Sequence, residues 1–599
     1  MKNRIRLLGS RFAAISLMWL VSAPLALAQA GAREGTTQPQ HAQTSNQQEP
    51  LVAPVNPVMA ERVGVDPNQI LRLSLHDTIL MALEHNNTIQ VERTNILASE
   101  QGLKAAQGAY DIALGANISA ETATNPSNSI RGVDRDGDGL PDDANGDGVI
   151  DSTELAQNTR RTIGAQITVQ QFIPFGGGSW RFQLDASRFK PDTTVISFGG
   201  ITLAGGGFAY LPAYNSQVTF EYQQPILRNF RVDRQRQQIR LAKKALDLSD
   251  SQFRQRVIDI ITQVQQAYWD LVFAIRAVEI QQEALNLART NLENNRKQVE
   301  AGTLAPIELA QSEAQVEQNR QNLTAAIGTV TLQENILKML ILGDPNASEW
   351  KANVAPTESI DHLPTAVDFE SALRLAQANR PELEQLHLQK ERNAIDIKYY
   401  ANQTLPEVNI FGRYIMTGFA GRPQAVVDAR TGDPLPTVPQ FSGGVGTSLK
   451  TAFSNDFSTY SFGLQFNFPL RNRTAEGLLG QAKATTRSLD FQEQQLLQSI
   501  SVEVRNALQR VETARRNIEA ARAARIARET QFEGEQKKFE AGLSTTFFVL
   551  QFQNFLSEAR LTELQALVAY NKAIADLQRV MSTTLSAHNV EISPRLPEK

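Results

Sequence analysis

Cysteine is absent from this 599-residue chain, and histidine occurs only six times. The first absence excludes disulfides, thiolate metal sites, cysteine nucleophiles and a lipidated N-terminal cysteine. Stability has to come from packing and association. An excess of one charge is also lacking: a formal net charge of -4 carries no basic footprint for nucleic acid. No HExxH, GxSxG or phosphate-loop pattern occurs, so no enzyme class is indicated. With 41% hydrophobic and 20% charged residues, the chain is too polar for a polytopic helical membrane protein. Beyond the first 28 residues there is no uninterrupted apolar run long enough to span as a helix. Any membrane-spanning part is therefore expected to be β-strand.

What is present starts with an export signature. Lys2, Arg4, Arg6 and Arg11 precede an apolar run from Ala13 to Leu27, ending in Ala26-Leu27-Ala28. This is the pattern of a secretory signal over residues 1–28. Residues 29–68 are expected to be a flexible extension, because the stretch to residue 60 is rich in Gln, Ala, Thr and Pro without apolar periodicity.

The remainder is internally duplicated. ALEHN (82–86) is echoed by LAQAN (375–379), VTFEYQQPIL (218–227) by LQFNFPLR (464–471), and VEAGTL (299–304) by FEAGLS (539–544). The last two pairs are separated by nearly equal lengths of chain and the first by more, so the first copy carries an insertion in its early half, at about 125–160. The copies are expected over 69–343 and 368–585, with 344–367 connecting them and 586–599 as a tail.

In the first copy Val257, Ile261, Val264, Tyr268, Leu271, Ile275, Val278, Leu285 and Leu292 follow steps of three and four, interrupted at Gln282 and Arg289. That is a coiled-coil seam. Residues 226–305 and 470–542 contain no proline, so each predicts one very long helix. Gly302 and Gly542 interrupt these patterns, and periodicity then resumes to about Leu342 and Met581. Each copy should be a helical hairpin turning at its glycine, and an ordinary helix C-cap accounts for both glycines. Shorter helices are expected near 74–107 and 369–403.

Strand patterns occur where the helices stop. Tyr460, Phe462, Leu464, Phe466 and Phe468 alternate with polar residues or glycine, as do Val218, Phe220 and Tyr222; Ile112, Leu114, Ala116 and Ile118, with Val408 and Ile410, supply partners. Residues 163–173 and 179–190, around Phe175-Gly176-Gly177-Gly178, form an additional hairpin that either extends above a membrane or joins the sheet. Four strands are too few to close a barrel of useful bore, so several chains would have to share one.

On the duplication, on QQPILRNF (223–230) and NFPLRNR (467–473), and on the paired Ala-Gly turns, the sequence resembles the TolC family of outer-membrane channel-tunnel proteins over roughly residues 70–585. The resemblance implies a mainly α fold with membrane β: a long coiled-coil α-helical barrel plus a β-barrel, formed by a homotrimer of internally duplicated chains, four strands from each. It implies a periplasmic tunnel below the outer membrane, docked to a periplasmic adaptor and an inner-membrane pump or secretion ATPase, as in efflux or type I secretion. It places Gly302 and Gly542 at the periplasmic entrance, where the adaptor binds. In the family prototype an acidic residue there links to a tyrosine and an arginine. Here the acidic position is Glu308, but Phe539 and Ser544 fill the partner positions and neither can make the same link. The prototype's two entrance aspartates correspond to Phe548 and Gln551, so an acidic cation-binding ring is not reproduced. The alternatives are an apolar constriction at Phe547 or Phe548 and simple packing of these rings in the helical seam.

The sharpest local motif lies in the insertion. In DANGDGVIDSTE, Asp143, Asn145, Asp147, the Val149 carbonyl, Asp151 and Glu154 occupy positions 1, 3, 5, 7, 9 and 12 of an EF-hand-type loop, with Gly148 at position 6. Hard oxygen ligands at this spacing suit calcium. Asp134, Asp136, Asp138 and Asp142 form an incomplete second loop. A calcium-stapled surface loop is expected, with a metal-free solvated loop as the alternative. A second function class therefore stands beside the export conduit: a calcium-stabilised envelope-spanning scaffold or adhesin.

Overall fold

The computed structural model describes residues 56, 58–132, 153–191, 196–198, 201–203, 210–360, 368–424 and 438–593. The first copy contains β1 (Asp66–Leu73), α1 (Leu75–His85), α2 (Asn87–Gln107), β2 (Ala113–Gly132), β3 (Thr153–Phe172), β4 (Ser179–Pro191), β5 (Ile196–Phe198), β6 (Ile201–Leu203), β7 (Tyr210–Pro225), α3 (Arg234–Glu300) and α4 (Pro306–Ile341). The connecting segment holds β8 (Ala352–Pro356). The second copy follows with α5 (Phe369–Asn379), α6 (Pro381–Gln403), β9 (Glu407–Pro423), α7 (Val445–Phe453), β10 (Ser458–Asn467), α8 (Arg473–Glu540), α9 (Thr546–Val580) and α10 (Thr584–Ala587).

The duplication is preserved in helix length. α3 and α8 have 67 and 68 residues, and α4 and α9 have 36 and 35. At 1.5 Å rise per residue the longer pair spans roughly 100 Å. Each long helix ends identically. Gly302 and Gly542 sit at φ +73° and +71°, and the next N–H reaches back to the helix, Thr303 to the Gln298 carbonyl at 2.9 Å and Leu543 to that of Lys538 at 2.8 Å. These are Schellman caps, whose left-handed residue glycine adopts without a Cβ penalty. The seam is where the periodicity put it: Val257, Ile261, Val264, Tyr268, Leu271, Ile275, Val278 and Leu285 are all buried.

Two expectations need correction. The helices near 74–107 and 369–403 are each split in two. Asn86 breaks the first and caps α2 by accepting from the Thr88 and Ile89 N–H groups. Arg380 breaks the second because Pro381 follows it, and a residue before proline is driven out of the α region; its ψ is 123°. The flexible extension does not run to residue 68, since β1 begins at Asp66 and Val58 and Arg62 are already buried. The connecting segment, 344–367, itself carries a strand. β8 is buried throughout and pairs in parallel with β1.

The largest sheet has the order β10-β9-β7-β4-β3-β2, antiparallel throughout. Six strands therefore lie in one sheet: of its two open alternatives the 163–190 hairpin takes the second, joining the four strands that the resemblance implies by entering between β2 and β7. Register puts Leu114, Ile118, Ile167, Leu184, Phe220, Ile410 and Phe462 on one face. This face is apolar and open, with Leu114 74% and Phe462 83% exposed. The opposite face carries Asn117, Gln166, Asp185, Glu221, Arg413 and Gln465. α7 crosses the half of the apolar face remote from the long helices. Buried Ser448 and Ala452 lie over Gly418 there, where an added Cβ would stand 1.9 Å from the Ser448 carbonyl.

Candidate functional site

The site has two ends, a two-sided sheet and a pair of helical turns, and the duplicated motifs join them. Asn229, in QQPILRNF, sits at φ 67°. It is held by its N–H donating to Asn402 Oδ1 and by Gln403 Nε2 donating to its own Oδ1, both at 2.7 Å. Arg228 Nε donates to Gln403 Oε1 at 2.7 Å, and Asn472, in NFPLRNR, donates to the Gln403 carbonyl at 3.0 Å. The motif residues thus lock the strand-to-helix junctions of both copies together. Trp180 and Tyr222 face each other on the apolar side beside this junction, the position aromatic rings take at a membrane–water boundary.

Lower down, α3, α4 and α9 meet through side-chain amides. Asn295 Nδ2 donates to Ser312 Oγ at 2.8 Å, and Asn319 Nδ2 and Gln553 Nε2 both donate to the Ala284 carbonyl, at 3.2 and 3.1 Å. All four of these polar side chains belong to buried residues. The apolar core thins here to Leu285, Ala288 and Val316, so this end is held more by polar geometry than by hydrophobic burial.

At the turns the structure separates the candidate residues. Glu308 lies in the first turn of α4, and its Oε2 is buried without a hydrogen-bond partner among the described residues. It makes no link to Phe539 or Ser544. Ser544 instead donates to the Glu535 carboxylate, which also accepts from Lys538 Nζ at 3.1 Å. The Ser544 hydroxyl, followed by Lys538, holds the Glu535 carboxyl below its ordinary value. Sequence reading missed Glu535 because its partner is nine residues away across a turn. Phe547 and Phe548 are 49% and 46% exposed and meet edge to face at 5.5 Å. Within the chain, Val549 and Leu550 fill the seam rather than these rings. Gln551 is half-buried on the same helix.

The outer membrane efflux protein family matches residues 213–341 and 372–583, more than half of the chain and one segment in each copy. The chain belongs to this family. The fold agrees with solved outer-membrane channels. Campylobacter jejuni CmeC is 14% identical with a TM-score of 0.55, covering 87% of this chain and 90% of its own. Vibrio cholerae VceC is also 14% identical at TM-score 0.55, covering 85% and 95%. The open state of Neisseria gonorrhoeae MtrE is 15% identical at TM-score 0.52, covering 90% and 96%. No curated protein sequence matches the chain.

As an outer membrane efflux protein the chain is a non-enzymatic outer-membrane channel with a periplasmic helical extension, and channels of this family work as homotrimers in tripartite pumps. Among the described residues no helix is long and apolar enough to cross a membrane. In the chain the acidic motif falls between the end of β2 and the start of β3. Asp134, Asp136, Asp138, Asp142, Asp143, Asn145, Asp147, Val149 and Asp151 lie outside the described residues. Glu154 lies in β3, paired in register with Arg131. No metal-holding group of His, Asp or Glu occurs among the described residues.

Proposed function

We propose that three copies of this chain form the passive exit duct of a tripartite export system, receiving cargo through a periplasmic adaptor from an inner-membrane pump or secretion ATPase. The observation that carries this is the direct continuation of a sheet with one apolar and one polar face into helices roughly 100 Å long. Such a sheet, closed on itself, satisfies every backbone group in hydrocarbon while its polar face lines water. Outer-membrane lipid is the partner of the apolar face. Energy comes from the partners, since the chain holds no nucleotide-binding motif.

Purified protein is expected to conduct ions in a planar bilayer, and deletion of the gene is expected to abolish export of the pump's substrates. Retained export with lost cell attachment would instead support the scaffold or adhesin.

Phe547 and Phe548 narrow the periplasmic entrance in this reading. Phe548→Ala should raise resting single-channel conductance several-fold, and an unchanged value would remove the gate role.

Calcium at the acidic loop rests on the ligand spacing from Asp143 to Glu154 alone. A bound ion would tie the tip of the β2–β3 hairpin and protect it from protease. Identical cleavage of the trimer in calcium and in chelator would dispose of the staple.

A further inference from the structure

Among the described residues nothing pairs with the outer side of β2 or of β10, the two edges of the six-stranded sheet. We propose that these edges join between copies, β10 of one against β2 of the next, so that the trimer closes an eighteen-stranded barrel rather than one of twelve strands. The proposal rests on the trimeric reading above and adds the inserted hairpin β3–β4 to the wall.

Three observations place the hairpin in the wall. First, its pairing is continuous: β3 is in register with β2 from Gln170 to Gln157 and with β4 from Phe172 to Arg160, and β4 with β7 from Ser179 to Phe189. Second, its faces continue those of its neighbours. Ile167 and Leu184 extend the apolar face, and on the polar face Gln166 and Gln183 each donate to the Asp185 carboxylate at 2.8 Å. A hairpin standing free in water would gain nothing from an apolar side in line with Phe220. Third, its turn is docked at the strand-to-helix junction. Gln224 Nε2 donates to the Gly176 carbonyl at 2.6 Å, and Gly177 lies so close to the Asn229 carbonyl that an added Cβ would stand 2.2 Å from it.

Strand spacing of about 4.8 Å and tilt of about 40° give eighteen strands a backbone diameter of roughly 36 Å, against roughly 24 Å for twelve. The hairpin brings no helix with it, because its turn reverses at the junction. The tunnel keeps the helices that continue from β2, β7, β9 and β10, and the barrel becomes a wide polar vestibule above it. The narrowest part of the path then lies among the helices, and bulky solutes meet no second restriction at the outer membrane.

Electron cryomicroscopy of the trimer in lipid nanodiscs should show eighteen strands in the barrel cross-section. A trimer with twelve strands and the hairpin outside the wall would overturn the proposal. Absence of a trimer would overturn the conduit reading instead. The cysteine-free chain also permits a labelling test. Gln166→Cys should react with a charged maleimide about tenfold faster than Ile167→Cys, because hydrocarbon excludes the reagent from the second site. Equal rates would place the hairpin in water on both sides and sink the proposal.

Discussion

Glu334→Ala is expected to destabilise the packing around the end of α4 by about 3–5 kcal/mol, the usual cost of removing one partner from a buried ion pair. Glu334 Oε2 accepts from Arg62 Nη1 at 2.7 Å and Oε1 from Lys338 Nζ at 2.6 Å, with all three side chains at most 1% exposed. Lys338 also donates to the Trp350 and Ala352 carbonyls at 2.9 and 2.5 Å, and Arg62 Nη2 donates to Asn353 Oδ1 at 2.6 Å. Without the carboxylate two buried cations keep only neutral acceptors and lose their shared counter-charge. The segment around Val58 and Arg62 should then detach from α4 and β8. Limited proteolysis would show new cleavage before Asp66, and the protein would melt at lower temperature. A triple replacement, Arg62→Met, Glu334→Leu and Lys338→Met, should recover most of the loss, since apolar residues of similar volume often substitute for a buried ionic cluster without penalty. Unchanged cleavage and melting in Glu334→Ala would show that the cluster does not hold the segment.

Gly177→Ala should cost about 2–4 kcal/mol, combining left-handed backbone strain with overpacking. Its φ is +69°, and the nearest obstacle to a new Cβ is a backbone carbonyl rather than a movable side chain. That carbonyl belongs to Asn229, itself fixed by Asn402 and Gln403, so the displacement is passed to the junction of β7 and α3. Gly302→Ala is the control. Its φ is +73° with nothing within 4 Å of the added Cβ, so only the strain of about 1–2 kcal/mol applies. Thermal dissociation of the trimer, followed on gels, should fall further for Gly177→Ala than for Gly302→Ala. Equal shifts would mean that the turn is not seated against the junction.

Much of the architecture was legible because it is locally periodic. The seam from Val257 to Leu285 is read at steps of three and four, and the same residues are buried. Proline-free stretches gave the long helices, and the Ala-Gly pairs gave their ends. Alternation at Tyr460 to Phe466 and Val218 to Tyr222 gave two-faced strands. The entrance was less legible. Phe548, Glu308 and Ser544 were found by motif position, but the Ser544–Glu535 bond closes across a turn and has no fixed sequence spacing.

The sequence by itself determined the duplication, the helical hairpins, their glycine caps and the presence of strands with one apolar side, all properties of neighbouring residues and their periods. Only the tertiary structure decided that β3 and β4 enter the sheet between β2 and β7, and that Arg62 is buried against Glu334 and Asn353, 272 and 291 residues away. Strand order depends on which edges meet. A charged side chain reads the same in sequence whether water or a partner compensates it, so neither outcome is encoded in local pattern.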